Sequence, residues 1–434
     1  MDKIKLTSLE KKWVLYDVGN SAFVMLVATV FPIYFGVLAT QGGLTAAQRL
    51  SSWGFAASIS TIIIALLGPI LGSIADTRGY KKKLFLVFLL LGVGACLVLG
   101  WLNHWMWFLV VFVLAQVGFT GSIIFNDAML TDVSEPERMD SVSSHGFAWG
   151  YIGSCIPFIA GLLFVIGGDL MGADTSTLFG LPVNVAMSIA FSITAIWWFA
   201  MTVPLLKSYK QRYYVNRTKG VIRSSFIRLG NTLKNVRQEK HIFVFLLAYF
   251  FYINGVNTII IMATAFGDAL YLDSTGLLLA LLLTQLVAFP SVLIWLKVSK
   301  KISPVTVITI CIVGYLAIAI YAYFLQTLTQ FFILAVAVGI FQGAIQALSR
   351  SYFARIIPAE KAGEYFGLYD IFGKGASLLG TLLIAVLALL TNDNLNLSVS
   401  SISIVFLIGL IIFRKAVKLN RQRLAQQEEQ TEKP

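Results

Sequence analysis

The sequence predicts an all-α polytopic membrane protein, with twelve transmembrane helices in two six-helix bundles. Two observations carry this reading. Hydrophobic residues make up 58% of the 434-residue chain and charged residues only 12%, about half of the roughly 25% charged content of a soluble globular domain. Apolar runs of about 20 residues, the length needed to cross a bilayer, recur along the whole chain, with Lys and Arg gathered between alternate pairs of them. This placement fits the net charge of +12 to the positive-inside rule and to anionic lipid headgroups. It does not fit a nucleic-acid groove, and no nucleic-acid partner is expected.

The twelve runs are 13–38, 51–75, 84–101, 105–130, 143–166, 185–204, 242–265, 275–296, 305–325, 331–354, 365–390 and 399–413. With both termini cytoplasmic, all of the 33 Lys and Arg except Arg49 and Lys374 fall in or beside loops on one side. The topology is therefore expected in the cell membrane with both ends inside. The first run is too long for the apolar segment of a signal peptide, so it is expected to remain as an uncleaved span. The division is a bundle over 1–204, a basic cytoplasmic linker over 205–240, a second bundle over 241–414 and a tail over 415–434. The linker contains an amphipathic stretch near 222–236 suited to lying on the inner leaflet. The tail beyond residue 421 is polar and is expected to be disordered. Cys96, Cys155 and Cys311 all sit inside apolar runs and suggest neither disulfides nor a metal site.

The loop at 72–83, Gly-Ser-Ile-Ala-Asp-Thr-Arg-Gly-Tyr-Lys-Lys-Lys, joins spans 2 and 3. Gly72 would let two helix backbones approach closely, and Asp76 follows one turn later where the chain leaves the hydrocarbon. Gly79 allows the backbone to reverse, and Arg78 with the lysines keeps the turn in water. This loop resembles the signature between spans 2 and 3 of the major facilitator superfamily, with Thr77 at a position where a base is common. The halves also echo each other: Gly118 to Pro136 after span 4 parallels Gly339 to Pro358 after span 10. The loop after span 8 breaks the symmetry, because Lys300 stands where the acid of the signature should be. An acid-based latch is therefore expected on the first half.

Four segments are more specific: Trp-Val-Leu-Tyr-Asp-Val-Gly-Asn-Ser-Ala-Phe at 13–23, Gly-Phe-Ala-Trp-Gly-Tyr-Ile-Gly at 146–153, Gln-Gly-Ala-Ile-Gln-Ala-Leu-Ser-Arg-Ser at 342–351 and Glu-Tyr-Phe-Gly-Leu-Tyr at 364–369. Together they closely resemble the vacuole-effluxer-like (autophagy-related amino-acid effluxer) family of that superfamily. The resemblance implies the two-bundle major facilitator fold and transport, and its eukaryotic members suggest amino-acid efflux. Short loops suggest a bacterial member, whose substrate need not be the same. The chain departs from the family at Asn254, where an acid is expected, and in the loop after span 8. Both departures weigh against ion coupling by the second half.

Polar groups in hydrocarbon are costly and need a partner or a watery cavity. Asp17 and Asn20 form such a stripe in span 1, and Gln116, Thr120, Asn126 and Asp127 one in span 4. Asn254 and Asn257 mark span 7, and Gln342 and Gln346 mark span 10. The family fold sets these four spans around a central cavity, so the amides, with Lys374 in span 11, are the expected substrate-binding residues. Each amide could instead make an ordinary interhelical hydrogen bond, worth about 0.6 kcal/mol on average. Asp17 and Asp127 are the expected proton-linked carboxylates; the alternatives for Asp17 are a fixed pair with Arg350 or Lys374, or a helix-start cap. Lys374 could also pair with Asp370 one turn earlier. Gly72, Asp76, Arg78, Gly79, Arg350 and Glu364 are the expected gate residues. In particular, Asp76 could meet the N-terminus of span 11 near Glu364.

The expected function is secondary active transport, by alternating access, of a small polar solute in the export direction, amino acids being one candidate. Its partners are that small-molecule substrate, membrane lipids and protons, with the chain acting as a monomer and needing no cofactor. No phosphate-binding loop of the GxxxxGK[ST] form is present to use ATP. The Arg that usually precedes the Gln-Gly pattern in span 4 of proton-driven multidrug exporters is missing at Ala115 and Gln116. No nucleophile–base or metal constellation suggests an enzyme. Two alternatives stay open: an exporter or flippase of a lipid-linked or amphipathic substrate, and a non-transporting receptor or assembly factor.

Overall fold

Caps and prolines divide the apolar runs into helices. The computed structural model describes residues 5–165, 181–216, 224–227, 230, 239–269, 272, 274–375 and 395–431. The first half contains α1 (Ser8–Ala28), α2 (Val30–Gln41), α3 (Ala46–Ala75), α4 (Lys81–Leu99), α5 (Trp105–Val133), α6 (Met139–Val165) and α7 (Val183–Ser208). The second contains α8 (Lys240–Ala269), α9 (Ser274–Ile302), α10 (Pro304–Tyr321), α11 (Leu328–Ile356), α12 (Ala362–Gly375), α13 (Leu395–Ser400) and α14 (Ile402–Thr431).

Among the described residues, nine helical stretches are long and apolar enough to cross a membrane, and they account for spans 1–4 and 6–10. Helices α6, α12 and α14 stand where spans 5, 11 and 12 are expected. Residues 376–390 of span 11 and most of the amphipathic stretch near 222–236 lie outside the described residues. Helix α1 packs on α6 and α7, α4 on α5 and α7, and α3 on α5; in the other half α8 packs on α14, α9 on α11, and α10 on α11 and α14. The halves meet where α3 lies along α12, where α6 lies along α9 and α11, and where α5 touches α11 and α12.

Span 1 is one apolar stretch from Ser8 to Gln41, interrupted as a helix at Thr29 between α1 and α2. Pro32 has no N–H for residue 28, and its ring crowds that carbonyl, so α1 ends at Ala28. The tail beyond residue 421 is not disordered over its described length, because α14 continues to Thr431. Its Arg, Gln, Glu, Leu and Ala residues are strong helix formers, and the helix is already nucleated inside the bundle.

Lipid tails are as apolar as leucine, so these helices are held by close packing. Trp13, Tyr16, Phe23 and Trp198 fill the first half, and a Cβ on Gly118 would overlap the Gly92 backbone, so α4 and α5 touch along their main chains. The amino end is anchored by a reciprocal cap between Thr7 and Glu10. The Glu10 carboxylate also accepts from Arg138 at 2.6 Å and Ser134 at 3.1 Å, tying α1 to the α5–α6 turn.

Candidate functional site

Arg350 on α11 is the centre of the contact between the halves. It is buried, and its guanidinium donates to Asp17 Oδ2 on α1 at 2.8 Å and to Asp127 Oδ1 on α5 at 3.0 Å. Its Nε–H donates to Ser143 Oγ on α6 at 2.9 Å, and Ser143 Oγ donates in turn to the Ala347 carbonyl at 2.8 Å. The rings of Trp13 and Phe147 cover the guanidinium, with centroids 4.7 and 4.4 Å from its carbon. Arginine suits this position because its planar fork serves several acceptors while its faces stack on aromatic rings. All of these partners except the Ala347 carbonyl come from the first half, so the cluster exists only while the halves are together. Asp17 lies about 14 Å along α1 from its first residue, at 1.5 Å per residue.

The cluster contains two carboxylates and one guanidinium. Asn126 reaches Asp17 Oδ1 with its Nδ2 at 3.5 Å, and its own Oδ1 is buried without a hydrogen-bond partner among the described residues. A Cβ on Gly146 would overlap the Asp17 carboxylate, so this glycine leaves room for the pair.

Two further contacts close the same end. Asp76, which caps the end of α3, accepts the Gly363 N–H at 2.7 Å and the Glu364 N–H at 2.9 Å, the free donors at the start of α12. A carboxylate there completes the orphan donors and faces the positive end of the helix. Gly72 makes the approach possible, since a Cβ on it would overlap the Gly363 carbonyl. Burial pushes the Asp76 carboxyl up to about 7, against the pull of Lys81 and the two N–H donors, and Glu364 adds to the rise. Asp140 on α6 accepts from Arg355 at 2.7 Å and from the Ser351 hydroxyl, both on α11.

The remaining sequence candidates are spread over both halves. Asn20 and Thr120 are buried, and Gln116 is half-buried about 16 Å along α5 from Asp127, at 1.5 Å per residue. Asn254 Oδ1 accepts the Thr258 hydroxyl within α8, and Asn257 Nδ2 donates to the Gly373 carbonyl on α12. Gln342 is buried on α11, and Gln346 Oε1 accepts the Tyr151 hydroxyl across the interface at 3.4 Å. Glu364 is buried, with Oε1 unpartnered among the described residues. Arg78 is exposed, its guanidinium over the Tyr214 ring, and Gly79 has φ +80°. The Lys374 side chain, and with it the expected pair with Asp370, lies outside the described residues.

Sequence reasoning missed Asp140, Ser143, Phe147 and Arg355. The signal for the first three is a helical stripe: positions 140, 143, 147 and 151 lie on one face of α6, and all four touch α11.

Helices in two groups, meeting through buried charges at the end that carries the basic loops, define a multi-pass membrane transporter of the major facilitator type. Solved structures with this fold include the human organic anion transporter MFSD10 (TM-score 0.69, 12% identity, 93% of this chain and 98% of that one). Another is a bacterial homologue of the iron transporter ferroportin in an outward-facing state (TM-score 0.67, 17% identity, 95% and 98%).

The chain belongs to the family described as vacuole effluxer Atg22 like, whose model matches residues 48–136 and 131–427. It is 45% identical to an uncharacterized MFS-type transporter, YxiO of Bacillus subtilis, over 94% of each chain. It is 23% identical to autophagy-related protein 22 of Coccidioides immitis, over 76% of this chain and 66% of that one.

Proposed function

We propose that this transporter works by alternating access in the cell membrane, with both termini cytoplasmic, and exports a small polar solute, amino acids being the first class to test. The observation that carries the reading is the Arg350 cluster. A guanidinium from one half, buried against two carboxylates of the other, is stable only while the basic end is closed. Opening that end frees Asp17 and Asp127 to exchange a proton or to meet the solute, which gives coupling between ion and substrate. The effluxer description of the family supports export, and the positive-inside placement of the basic loops supports a cytoplasmic basic end.

Counterflow of labelled amino acids in proteoliposomes, with and without an imposed pH gradient, tests this. The expected result is uptake by the wild type that an inward proton gradient changes, and that Asp17→Asn retains only as gradient-independent exchange. Failure of every amino acid, together with transport of an amphipathic or lipid-linked probe, would overturn the substrate class. Failure of all solutes would overturn transport itself.

A further inference from the structure

The chain leaving α7 does not cross directly to the second half. Residues 209–216 run beside the α3–α4 turn and are bonded to it through Gln211 and Val215. The Val215 N–H donates to the Asp76 carbonyl at 2.8 Å, and the Arg78 N–H donates to the Val215 carbonyl at 3.1 Å, a single parallel β-bridge at Thr77. Gln211 spans the turn: its Nε2 donates to the Ala75 carbonyl at 3.1 Å, and its Oε1 accepts the Gly79 N–H at 2.9 Å. The segment is anchored by Asp132 at the end of α5. That buried carboxylate accepts the Arg212 and Tyr213 N–H groups, each at 2.9 Å, the Tyr209 hydroxyl, and Lys81 Nζ at 3.0 Å. All of its acceptor capacity is used, which is what a buried ion pair requires to persist. The neighbouring Arg212–Glu135 pair is more than half exposed and adds little.

Asp76 is therefore held from two sides. Its carboxylate faces the α12 N-terminus in the other half, while the main chain that aims it is fixed by the strap. Gly79 at φ +80° gives the turn a conformation that needs such support, because glycine loses more freedom on ordering than any other residue. The anchor also sits close to the Arg350 cluster. Asp132 lies five residues beyond Asp127 on α5, about 7.5 Å along the helix axis.

We infer that residues 209–216 form a positioning strap for the inner closure, and that Gln211 is the residue that sets the Asp76 carboxylate against α12. The linker between the halves then does more than tether them: displacing its first eight residues loosens the closed state. This rests on the reading that Asp76 helps hold the basic end closed.

The test uses the full-length protein in inside-out vesicles, with a membrane-impermeant maleimide and Ala347→Cys as the single reporter, Cys96, Cys155 and Cys311 being replaced by Ala. Position 347, on α11, is fully buried against α6 and α9 when the end is closed. Gln211→Ala is expected to raise the labelling rate several-fold, with little change in melting temperature. Gln211→Glu keeps the acceptor for the Gly79 N–H and is expected to give a smaller rise. Asp76→Ala is expected to raise labelling at least as much as Gln211→Ala. The double variant Gln211→Ala/Asp76→Ala should label no faster than Asp76→Ala alone, because the strap acts through that residue. If Gln211→Ala leaves labelling unchanged while Asp76→Ala raises it, the strap inference fails and the closure reading stands. If the two effects add, Gln211 acts elsewhere and the inference also fails. If neither variant raises labelling, the closure reading itself is wrong.

Discussion

The two halves bring opposite chemistry to their shared contact. The first half contributes carboxylates at every charged contact described: Asp17, Asp76, Asp127 and Asp140. The second contributes donors: the Arg350 and Arg355 guanidinium groups and the N–H groups opening α12. The loop after α9 has no acid to return the favour, because Lys300 stands at that position, in the last turn of α9, and Ser303 caps the start of α10. The fold repeats but the electrostatics do not. A polarised contact of this kind can be closed or released as a unit, since losing any one partner leaves a buried group of a single sign.

The largest break in that polarity is Arg350→Leu. It strands two buried carboxylates, and removing one partner of a buried pair costs about 3–5 kcal/mol. Transport should be lost, and the melting temperature in detergent should fall. Arg350→Lys keeps the charge but loses the fork, so it should recover stability better than turnover.

Gly72→Val comes next. Its side chain would overlap the Gly363 carbonyl, so the basic end cannot close fully, and labelling of Ala347→Cys should rise while the spans stay folded. A smaller effect sharpens the comparison directly. The Asp140–Arg355 pair is only partly buried, so Asp140→Arg and Arg355→Asp should each lower transport a few-fold, and combining them should restore part of it.

The smallest effect is on pH. Asp76 stands at about 7 when buried at the closed end and returns toward the ordinary aspartate value of 3.8 once exposed, so closing takes up a proton. That contribution to closure is complete below about pH 4 and is lost as the pH rises through about 7. Reporter labelling in the Ala347→Cys protein should therefore rise from about pH 6 to about pH 8 more steeply than thiol ionisation alone requires. Asp76→Asn, which does not titrate, should leave only the rise due to thiol ionisation.

The spans were legible because apolar length is a local property of the chain. The break at Thr29 was not, since Pro32 sits inside an otherwise unbroken apolar run. Asp17 and Asp127 stood out as costly groups in hydrocarbon and Arg350 as a gate candidate, but the sequence left Asp17 with two possible bases. Its partner is 333 residues away, a distance that periodicity does not bridge. Asp140 and Arg355 were hidden for a different reason: at span ends they look like solvated charges of the positive-inside pattern. Gln211 was masked by the basic residues around it in the linker.

The central claim is that buried charge at the basic end holds the halves together and releases them as one step. Pulsed electron resonance between spin labels at Glu137 and Glu360, exposed on the α5–α6 and α11–α12 turns, measures this most directly. The account predicts one short distance in the wild type at low pH, and a second, longer population in Arg350→Leu and in Asp76→Ala. A single unchanged distance in all three would contradict it.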